Sequence, residues 1–178
     1  MHNLQPNLID HYIDNAINDL HQTTNQHRSS QSDQHDLMPE LSLNEMMLLA
    51  SLAEQQAKML GIDIVFALVD RYGLQRFYFS MPKALLVSHT LAPKKAYSAV
   101  AMKMPTHKLA EMMQPNTALF GVERIADICG VGGGFPCLHQ NRIIAGIGIS
   151  GGTVEEDMLI AINCLSQFSQ QCFPLNSN

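Results

Sequence analysis

Histidine and lysine side chains give this 178-residue chain its clearest chemical potential. Three histidines, His89, His107 and His139, lie in its apolar-rich part, and a neutral imidazole is a common donor to metal ions and to haem iron. A lone histidine is more often a surface or hydrogen-bonded residue than a ligand. His107 is favoured among the three because it follows Thr106 and lies downstream of two adjacent lysines.

Those lysines, Lys94 and Lys95, follow Pro93 in a segment whose pattern is helical over residues 84–103. Proline removes a hydrogen bond and clashes with the preceding turn of a helix. We therefore predict a break near residues 90–93 and a new helix start there. Both lysines would lie in its first turn, where the helix dipole disfavours a cation. Either one lysine faces an acidic partner or ligand, or both are solvated.

A glycine-rich stretch, residues 130–157, contains most of the chain's 11 glycines. It predicts a loop, two strands joined by a polar turn, and a corner at Gly151 and Gly152 that leads into a helix. Thr153 and Glu156 fit a capping box at that helix start. Free amides and the helix dipole converge on the corner, which favours a small bound anion. A tight strand-to-helix turn is the alternative.

Composition narrows the function classes. The net charge of -5 and the pI of about 5.8 argue against nucleic-acid binding. No run approaches the roughly 20 apolar residues of a membrane span, and the N-terminus lacks a secretory signal, so we expect a cytoplasmic protein without membrane contact. The four cysteines show no Cys-x-x-Cys spacing and are expected to be reduced, mostly buried thiols.

Several catalytic motifs are missing from the sequence. It contains no Walker loop and no His-x-x-x-His. The run of glycines at 132–134 precedes a strand instead of following one, so it does not fit the dinucleotide-binding fingerprint. No catalytic residue is assigned from the sequence alone.

The elements that position these residues begin at residue 41. Ser42 and Glu45 form a capping box for a helix that Gly61 ends. A buried strand at 62–69, a hairpin turn at Asp70-Arg71-Tyr72-Gly73 and an alternating strand at 74–80 follow, and so short a connection requires an antiparallel pair. The predicted faces of the second strand are Leu74, Arg76 and Tyr78 on one side and Gln75, Phe77 and Phe79 on the other.

The later elements are less regular. Thr106 is predicted to cap a short helix that ends at Met113. Residues 114–128 read as irregular, with Phe120 and Ile125 as core anchors. The last helix, at about 153–170, is apolar on most sides, so we expect it to be buried all round, beneath the sheet or against a second subunit.

The first 40 residues differ from the rest. The spacing of apolar residues predicts an amphipathic helix at residues 1–20, with its apolar stripe at residues 4–20. The polar composition of residues 21–40 predicts a disordered linker. A helix on a tether is typical of a docking segment that binds a groove of another protein. Packing on its own domain, at residues 41–172, or on a second copy is the alternative.

Five motifs carry a family resemblance: Asp70-x-x-Gly73, Lys95-Ala96-Tyr97-Ser98-Ala99, Met104-Pro105-Thr106, Gly132-Gly133-Gly134-Phe135-Pro136, and the run from Gly146 to Asp157 that contains Ser150-Gly151-Gly152-Thr153. With these motifs the chain resembles the GlcG/HbpS haem-binding and haem-degrading family, which includes the C-terminal domain of the propanediol-utilisation protein PduO. The resemblance implies an α/β (α+β), profilin-like fold, with a central antiparallel sheet flanked by helices, and a homo-oligomer.

The resemblance also implies a ligand and a setting. Haem or a related tetrapyrrole would lie in an apolar cleft, with propionates at Lys94 or Lys95 and iron at Thr106 or His107. The corner Gly151-Gly152-Thr153 belongs to the same implied ligand-binding set. Residues 4–20 look like an encapsulation peptide that docks to a shell or cargo protein of a bacterial microcompartment for propanediol or a related substrate. No counterpart of the PduO adenosyltransferase domain is present, so cobalamin adenosylation is not expected.

Two other functions stay open, and the sequence does not decide whether there is turnover. The first is a small-molecule lyase or isomerase that binds an anionic substrate on the amides of the glycine corner, with Asp157 or Lys95 as acid or base. The second is a non-catalytic structural or scaffolding subunit.

Overall fold

The computed structural model describes residues 40–173. The predicted N-terminal helix and all of the predicted linker except Glu40 lie outside the described residues. Four strands form one sheet in the order β2–β1–β4–β3, and every neighbouring pair is antiparallel. The strands are β1 (Val65–Asp70), β2 (Gln75–Ser80), β3 (Gly134–His139) and β4 (Arg142–Ser150).

Helices cover both faces of this sheet. They are α1 (Leu43–Leu60), α2 (Ser88–Ala101), α3 (Thr106–Met112) and α4 (Val154–Cys172), with a single 3-10 turn at Val122–Arg124. The larger core lies between α1, α4 and the face of β1 that carries Phe66 and Leu68. On the other face, Val65 and Ala67 pack against α2. The expected central antiparallel sheet flanked by helices is confirmed.

Local sequence signals fix both long helices. Ser42 and Glu45 exchange the two hydrogen bonds of a capping box at the start of α1, and Gly61 ends this helix in the left-handed conformation, with φ of 72°. Thr153 and Glu156 form the same box at the start of α4. Both predicted capping boxes are confirmed. Helix α4 is less enclosed than predicted, since its first residues are exposed.

The predicted break at Pro93 is wrong, because α2 runs through this residue without interruption. Two glycines of β4 explain why the helix tolerates it. A Cβ on Gly148 would lie 2.0 Å from the carbonyl oxygen of Ala92, and one on Gly146 would lie 2.7 Å from that of Ala96. The helix therefore rests directly on the strand, and this close packing offsets the one hydrogen bond that proline forfeits.

The prediction that Phe120 and Ile125 anchor the core is also wrong, because their side chains are 58% and 57% exposed. Polar contacts hold this loop instead. Lys94 Nζ donates to the carbonyl oxygen of Ala126 at 2.6 Å, and Ser98 Oγ donates to that of Asp127 at 3.3 Å. The loop is thus tied to α2 by backbone acceptors, which leaves its apolar side chains at the surface.

The hairpin is confirmed, and the predicted faces of β2 hold only in its second half. The rings of Phe77 and Phe79 pack on Phe66, with centroids 6.3 and 5.6 Å away. A register shift opposite Leu68 and Val69 then interrupts the alternation. Gln75 pairs with Val69, and the guanidinium of Arg76 turns towards Asp70, at 3.6 Å. Beta-bulges re-aim side chains in this way. Strand β1 begins three residues later than predicted.

Residues 40–173 contain no helix long and apolar enough to cross a lipid bilayer.

Candidate functional site

Lys95 and Asp157 form an enclosed ion pair where α2, β4 and α4 meet. Lys95 Nζ donates to Asp157 Oδ2 at 2.7 Å and to the carbonyl oxygen of Ile149 at 2.8 Å. The side chains are 1% and 4% exposed. Because α2 begins at Ser88, Lys95 lies in mid-helix, and its predicted place in a first turn is wrong. Asp157 is the acidic partner expected for one of the two lysines.

The second carboxylate oxygen of Asp157 is occupied as well. Its Oδ1 accepts from the amide of Gly152 at 3.0 Å. Burial raises the pKa of Asp157, although Lys95 and the amides of Gly151 and Gly152 act in the opposite direction. The carboxyl group is therefore held entirely by groups of this chain.

The glycine corner is filled by the chain's own carboxylates. Asp157 takes the amide of Gly152, and Glu156 Oε2 accepts from the amide of Thr153 at 2.8 Å. Gly151 is pressed against backbone, since a Cβ there would lie 2.3 Å from the carbonyl oxygen of Asp63. The converging amides thus bind anions, as the sequence indicates, and these anions are side chains of α4.

Two glycines of the 132–134 run close over the same lysine. Gly133 has a φ of 111°, and a Cβ there would lie 3.0 Å from Lys95 Nζ. A Cβ on Gly134 would lie 2.4 Å from the carbonyl oxygen of Lys95 and 2.6 Å from Thr106 Cγ2. Only glycine permits such close approach without displacing backbone. The run therefore packs the loop onto α2.

Thr106 does not cap α3. Pro105 occupies the N-cap position, and Thr106 is the first helical residue. The fully buried hydroxyl donates to the carbonyl oxygen of Val131 at 2.7 Å and accepts from the amide of Gly134 at 2.9 Å. An iron ion would have to displace both bonds to reach this oxygen. We call Lys95, Thr106, Gly134 and Asp157 the buried centre.

The other two predicted ligand residues lie outside the buried centre. Lys94 donates to Ala126 and holds the 113–131 loop. His107 is half-buried, and its ring centroid lies 5.6 Å from that of Phe135. The predicted set Lys94, Lys95, Thr106 and His107 is thus split between the buried centre and its surroundings.

A second polar cluster lies at the start of α2 and on the edge strand β2. Helix α2 packs across β4, β1 and β3, while β2 is an edge strand. Tyr78 pairs with Ala67 and so points to the α2 side of the sheet. His89, the second residue of α2, forms a hydrogen bond through Nδ1 to the hydroxyl of Tyr78. We call Tyr78, Ser80 and His89 the outer-face site.

Ser80 lies beside the other ring nitrogen of His89. The Ser80 hydroxyl donates to the carbonyl oxygen of Met81 at 3.2 Å. Its oxygen lies 3.5 Å from His89 Nε2, at the limit of a hydrogen bond. Tyr78 and Ser80 thus flank the two nitrogens of the imidazole and orient the ring.

Apolar side chains precede this cluster in the chain. Leu85, Leu86 and Val87 are all exposed, Leu86 by 87%. The amide of His89 donates to the carbonyl oxygen of Leu86 at 3.2 Å, which places the three residues one turn before the histidine. The sequence marks His89 as a possible donor but not Tyr78, for which the alternation indicates only a place on the face opposite Phe77 and Phe79.

The thiols are poor candidates for ligands. Cys129, Cys137 and Cys164 are buried and free, and Cys172 is half-buried. Burial raises the pKa of Cys137 to about 12 and also raises the pKa of Cys164 and Cys172. Because the thiolate is the metal-binding form, these cysteines stay inert. Residues 40–173 hold no group of three histidine, cysteine, aspartate or glutamate side chains arranged for a metal ion.

Sequence comparison places the domain among haem proteins. Residues 41–166 match the family model described as haem degrading protein HbpS-like. The corrinoid adenosyltransferase PduO of Salmonella typhimurium is 43% identical over 123 residues, which are 68% of this chain and 37% of PduO. This chain thus matches little more than a third of that relative. An uncharacterised 15.0 kDa protein of Citrobacter freundii is 32% identical over 124 residues, or 87% of its length.

Solved structures agree with this placement. The PduOC:haem complex is 41% identical, with a TM-score of 0.70 over 72% of this chain and 94% of that one. The Klebsiella pneumoniae protein ORFY is 32% identical, with a TM-score of 0.72 over 79% and 96% of the two chains. HbpS of Streptomyces reticuli, at 24% identity and a TM-score of 0.69, supports the fold alone.

Proposed function

Because the chain belongs to the HbpS-like family of haem degrading proteins, we propose that its domain at residues 41–172 binds haem or a related tetrapyrrole. The observation that carries the proposal is the similarity to the PduOC:haem complex at 41% identity over nearly all of that chain. The activity of full-length PduO is not transferred, because the match covers 37% of its length.

The chemistry of the outer-face site fits an iron tetrapyrrole. A phenol hydrogen-bonded to an imidazole offers two donors of the kind that hold haem iron. Leu85, Leu86 and Val87 expose apolar surface of the kind that a porphyrin covers. When bound, haem supplies a redox-active iron, and the protein supplies its ligand and surroundings. His107 is the second candidate donor, since its ring is only half-buried.

Titration of the purified chain with haemin tests this function. We expect a shifted Soret band that saturates at a fixed ratio of haemin to protein, relative to haemin in buffer. An unshifted band would overturn the proposal. Following the band after addition of a reductant in air, with catalase present and free haemin as the control, separates a carrier from a haem-degrading enzyme, because turnover removes the Soret absorbance faster than in the control.

The rival enzymatic function lacks an accessible site at the glycine corner. An anionic substrate there would compete with Asp157 and Glu156 for the amides of Gly152 and Thr153. Lys95 and Asp157, the acid and base of that hypothesis, are paired with each other and enclosed. We therefore place haem binding ahead of a lyase or isomerase.

A homo-oligomer is part of the proposal, and the 113–131 loop supports it. Phe120 and Ile125 expose more than half of their surface on a loop that polar bonds hold in place. Apolar side chains in a well-held loop are typical of a surface that another chain covers. Native mass spectrometry of the wild type and of Phe120→Ser/Ile125→Ser should give a smaller assembly for the variant. An unchanged mass would remove the loop from the interface.

We further propose that residues 4–20 direct the domain to a bacterial microcompartment for propanediol or a related substrate. The support is the apolar stripe of this segment, the polar stretch after it, and the similarity to PduO. Fusing residues 1–36 to a fluorescent protein should give punctate fluorescence in cells that build shells. Diffuse fluorescence, matching a fusion with the apolar stripe changed to serine, would contradict the targeting.

A further inference from the structure

We propose that Tyr78 is the iron ligand of the bound tetrapyrrole and that the hydrogen bond to His89 positions its phenolic oxygen. This inference rests on the proposed haem binding and adds the identity of the donor. It departs from the sequence prediction, which placed iron at Thr106 or His107.

The hydrogen bonds of the outer-face site carry the assignment. His89 Nδ1 forms a hydrogen bond to the hydroxyl of Tyr78, and Ser80 Oγ lies 3.5 Å from His89 Nε2 on the other side of the ring. The imidazole therefore holds the phenol in a fixed orientation at the surface. Tyr78 would supply a phenolate oxygen to ferric iron, with its proton and the solvent ligand of the iron released to water, so no oxidant or reductant is needed.

Accessibility separates this pair from the other candidates. Tyr78 is 36% exposed on the edge strand, and His89 is exposed in the first turn of α2. Thr106 is fully buried with its hydroxyl bonded to two backbone groups. A haem ring can approach Tyr78 without opening the domain, whereas Thr106 becomes reachable only if the loop at 131–134 detaches.

The surroundings of the pair suit a flat apolar ligand. Among residues 40–173, Tyr78 and Ser80 are exposed on β2, and Leu85, Leu86 and Val87 expose their side chains one turn before His89. A porphyrin bound at Tyr78 would cover part of this apolar surface, which stabilises binding by the hydrophobic effect. Electron donation from a phenolate also favours the ferric state over the ferrous one.

The first test compares Tyr78→Phe with Tyr72→Phe in the full chain. Tyr72 is an exposed tyrosine in the hairpin turn, beneath the guanidinium of Arg71. With haemin, the wild type and Tyr72→Phe should show tyrosinate modes in resonance Raman spectra and a phenolate-to-iron charge-transfer band. Tyr78→Phe should lose both, and its Soret maximum should move. Because the ring is kept, folding is unaffected.

The second test asks whether His89 positions the ligand. His89→Ala should weaken haemin binding about 10- to 100-fold, as expected when a ligand loses its hydrogen-bond partner. The tyrosinate modes of this variant should persist at a shifted frequency, because the phenolate oxygen no longer has the imidazole beside it. His139→Ala, which removes an imidazole whose ring centroid lies 4.1 Å from that of Phe173, should match the wild type in both affinity and spectrum.

The outcomes distinguish the ligand from the function. Wild-type protein that binds haemin while Tyr78→Phe gives an unchanged spectrum would overturn the ligand assignment and leave haem binding intact. Loss of the spectrum in His107→Ala, with Tyr78→Phe unaffected, would assign iron to His107. Wild-type protein that binds no haemin would overturn the proposed function itself.

Discussion

The polar side chains of the buried centre are enclosed by the protein, whereas those of the outer-face site are exposed to solvent. In the buried centre, Lys95 and Asp157 are enclosed and every named polar atom has a partner within the chain. In the outer-face site, Tyr78 and His89 bond to each other and stay open to solvent. Four of the five motifs that carry the family resemblance contribute a residue to the first region, and the accessible donors lie in the second.

This difference shows that residues of a shared family motif can stabilise the fold without binding a ligand. A buried charge needs a partner and hydrogen bonds, because desolvation otherwise destabilises it by several kcal/mol. Asp157 and the carbonyl oxygen of Ile149 meet that need for Lys95, so their spacing is set by the fold. A ligand instead needs groups that can change partners. Shared motifs can therefore identify a fold while the binding residues lie elsewhere.

Breaking the ion pair should give the largest effect on stability. Asp157→Ala leaves the ammonium of Lys95 enclosed without its carboxylate, which should lower the free energy of unfolding by about 3–5 kcal/mol. Urea denaturation followed by circular dichroism measures the loss. The matched control is Glu155→Ala, which removes an exposed carboxylate from the same first turn of α4 and should cost about 0.3–1 kcal/mol.

The double variant Lys95→Met/Asp157→Leu sharpens this test. It removes both charges and fills the space with apolar atoms, so it should be more stable than Asp157→Ala alone. If Asp157→Ala were no less stable than Glu155→Ala, the ion pair would not be holding α2 to α4. In that case the two regions would not differ as described.

Local signals made much of the fold predictable. The capping boxes at Ser42 and Thr153 and the turn that ends at Gly73 each depend on residues within a few positions, and all three were foreseen correctly. The errors at Pro93 and Phe120 have a different origin. They depend on tertiary contacts: the glycines of β4 pack against α2, and Lys94 forms a hydrogen bond to the loop. In both contacts the partners lie some 30 or more residues apart in sequence.

The candidate sites also combine local signals with distant contacts. The sequence indicates that Lys95 or Lys94 needs an acidic partner, and the structure shows that the partner of Lys95 is Asp157, 62 positions later. The sequence pattern assigns Tyr78 only to a strand. Its proposed role depends on β2 lying at the edge of the sheet while α2 packs across the other three strands, and the local pattern indicates neither feature.

Removing the hydroxyl of Thr106 should give the next largest effect. Thr106→Val keeps the shape and leaves the amide of Gly134 and the carbonyl of Val131 without this partner. Each orphaned buried group costs about 1–3 kcal/mol, which the urea midpoint reports. Haemin affinity per folded molecule should not change. A stable variant that lost the haemin spectrum would instead return the iron to Thr106.

Thr153→Ala tests the glycine corner as a structural cap. Loss of the hydroxyl that accepts from the amide of Glu156 should lower stability by about 1 kcal/mol. Ser42→Ala removes the equivalent cap of α1 and provides the control, with a similar loss expected. Phosphate should not raise the melting temperature of either the wild type or Thr153→Ala. A phosphate-dependent rise confined to the wild type would point to an anion at the corner.

The smallest effect on stability should come from the outer-face site, where the effect on ligand binding should be distinct. Ser80→Ala removes the hydroxyl beside His89 Nε2 at the surface, so the free energy of unfolding should stay within about 0.5 kcal/mol of the wild type. Without this neighbour the imidazole is held less firmly against the phenol of Tyr78. Haemin affinity should therefore fall, by less than in His89→Ala, while the tyrosinate Raman modes persist. A stability loss as large as that of Thr106→Val would mean that this surface, too, serves mainly to hold the fold.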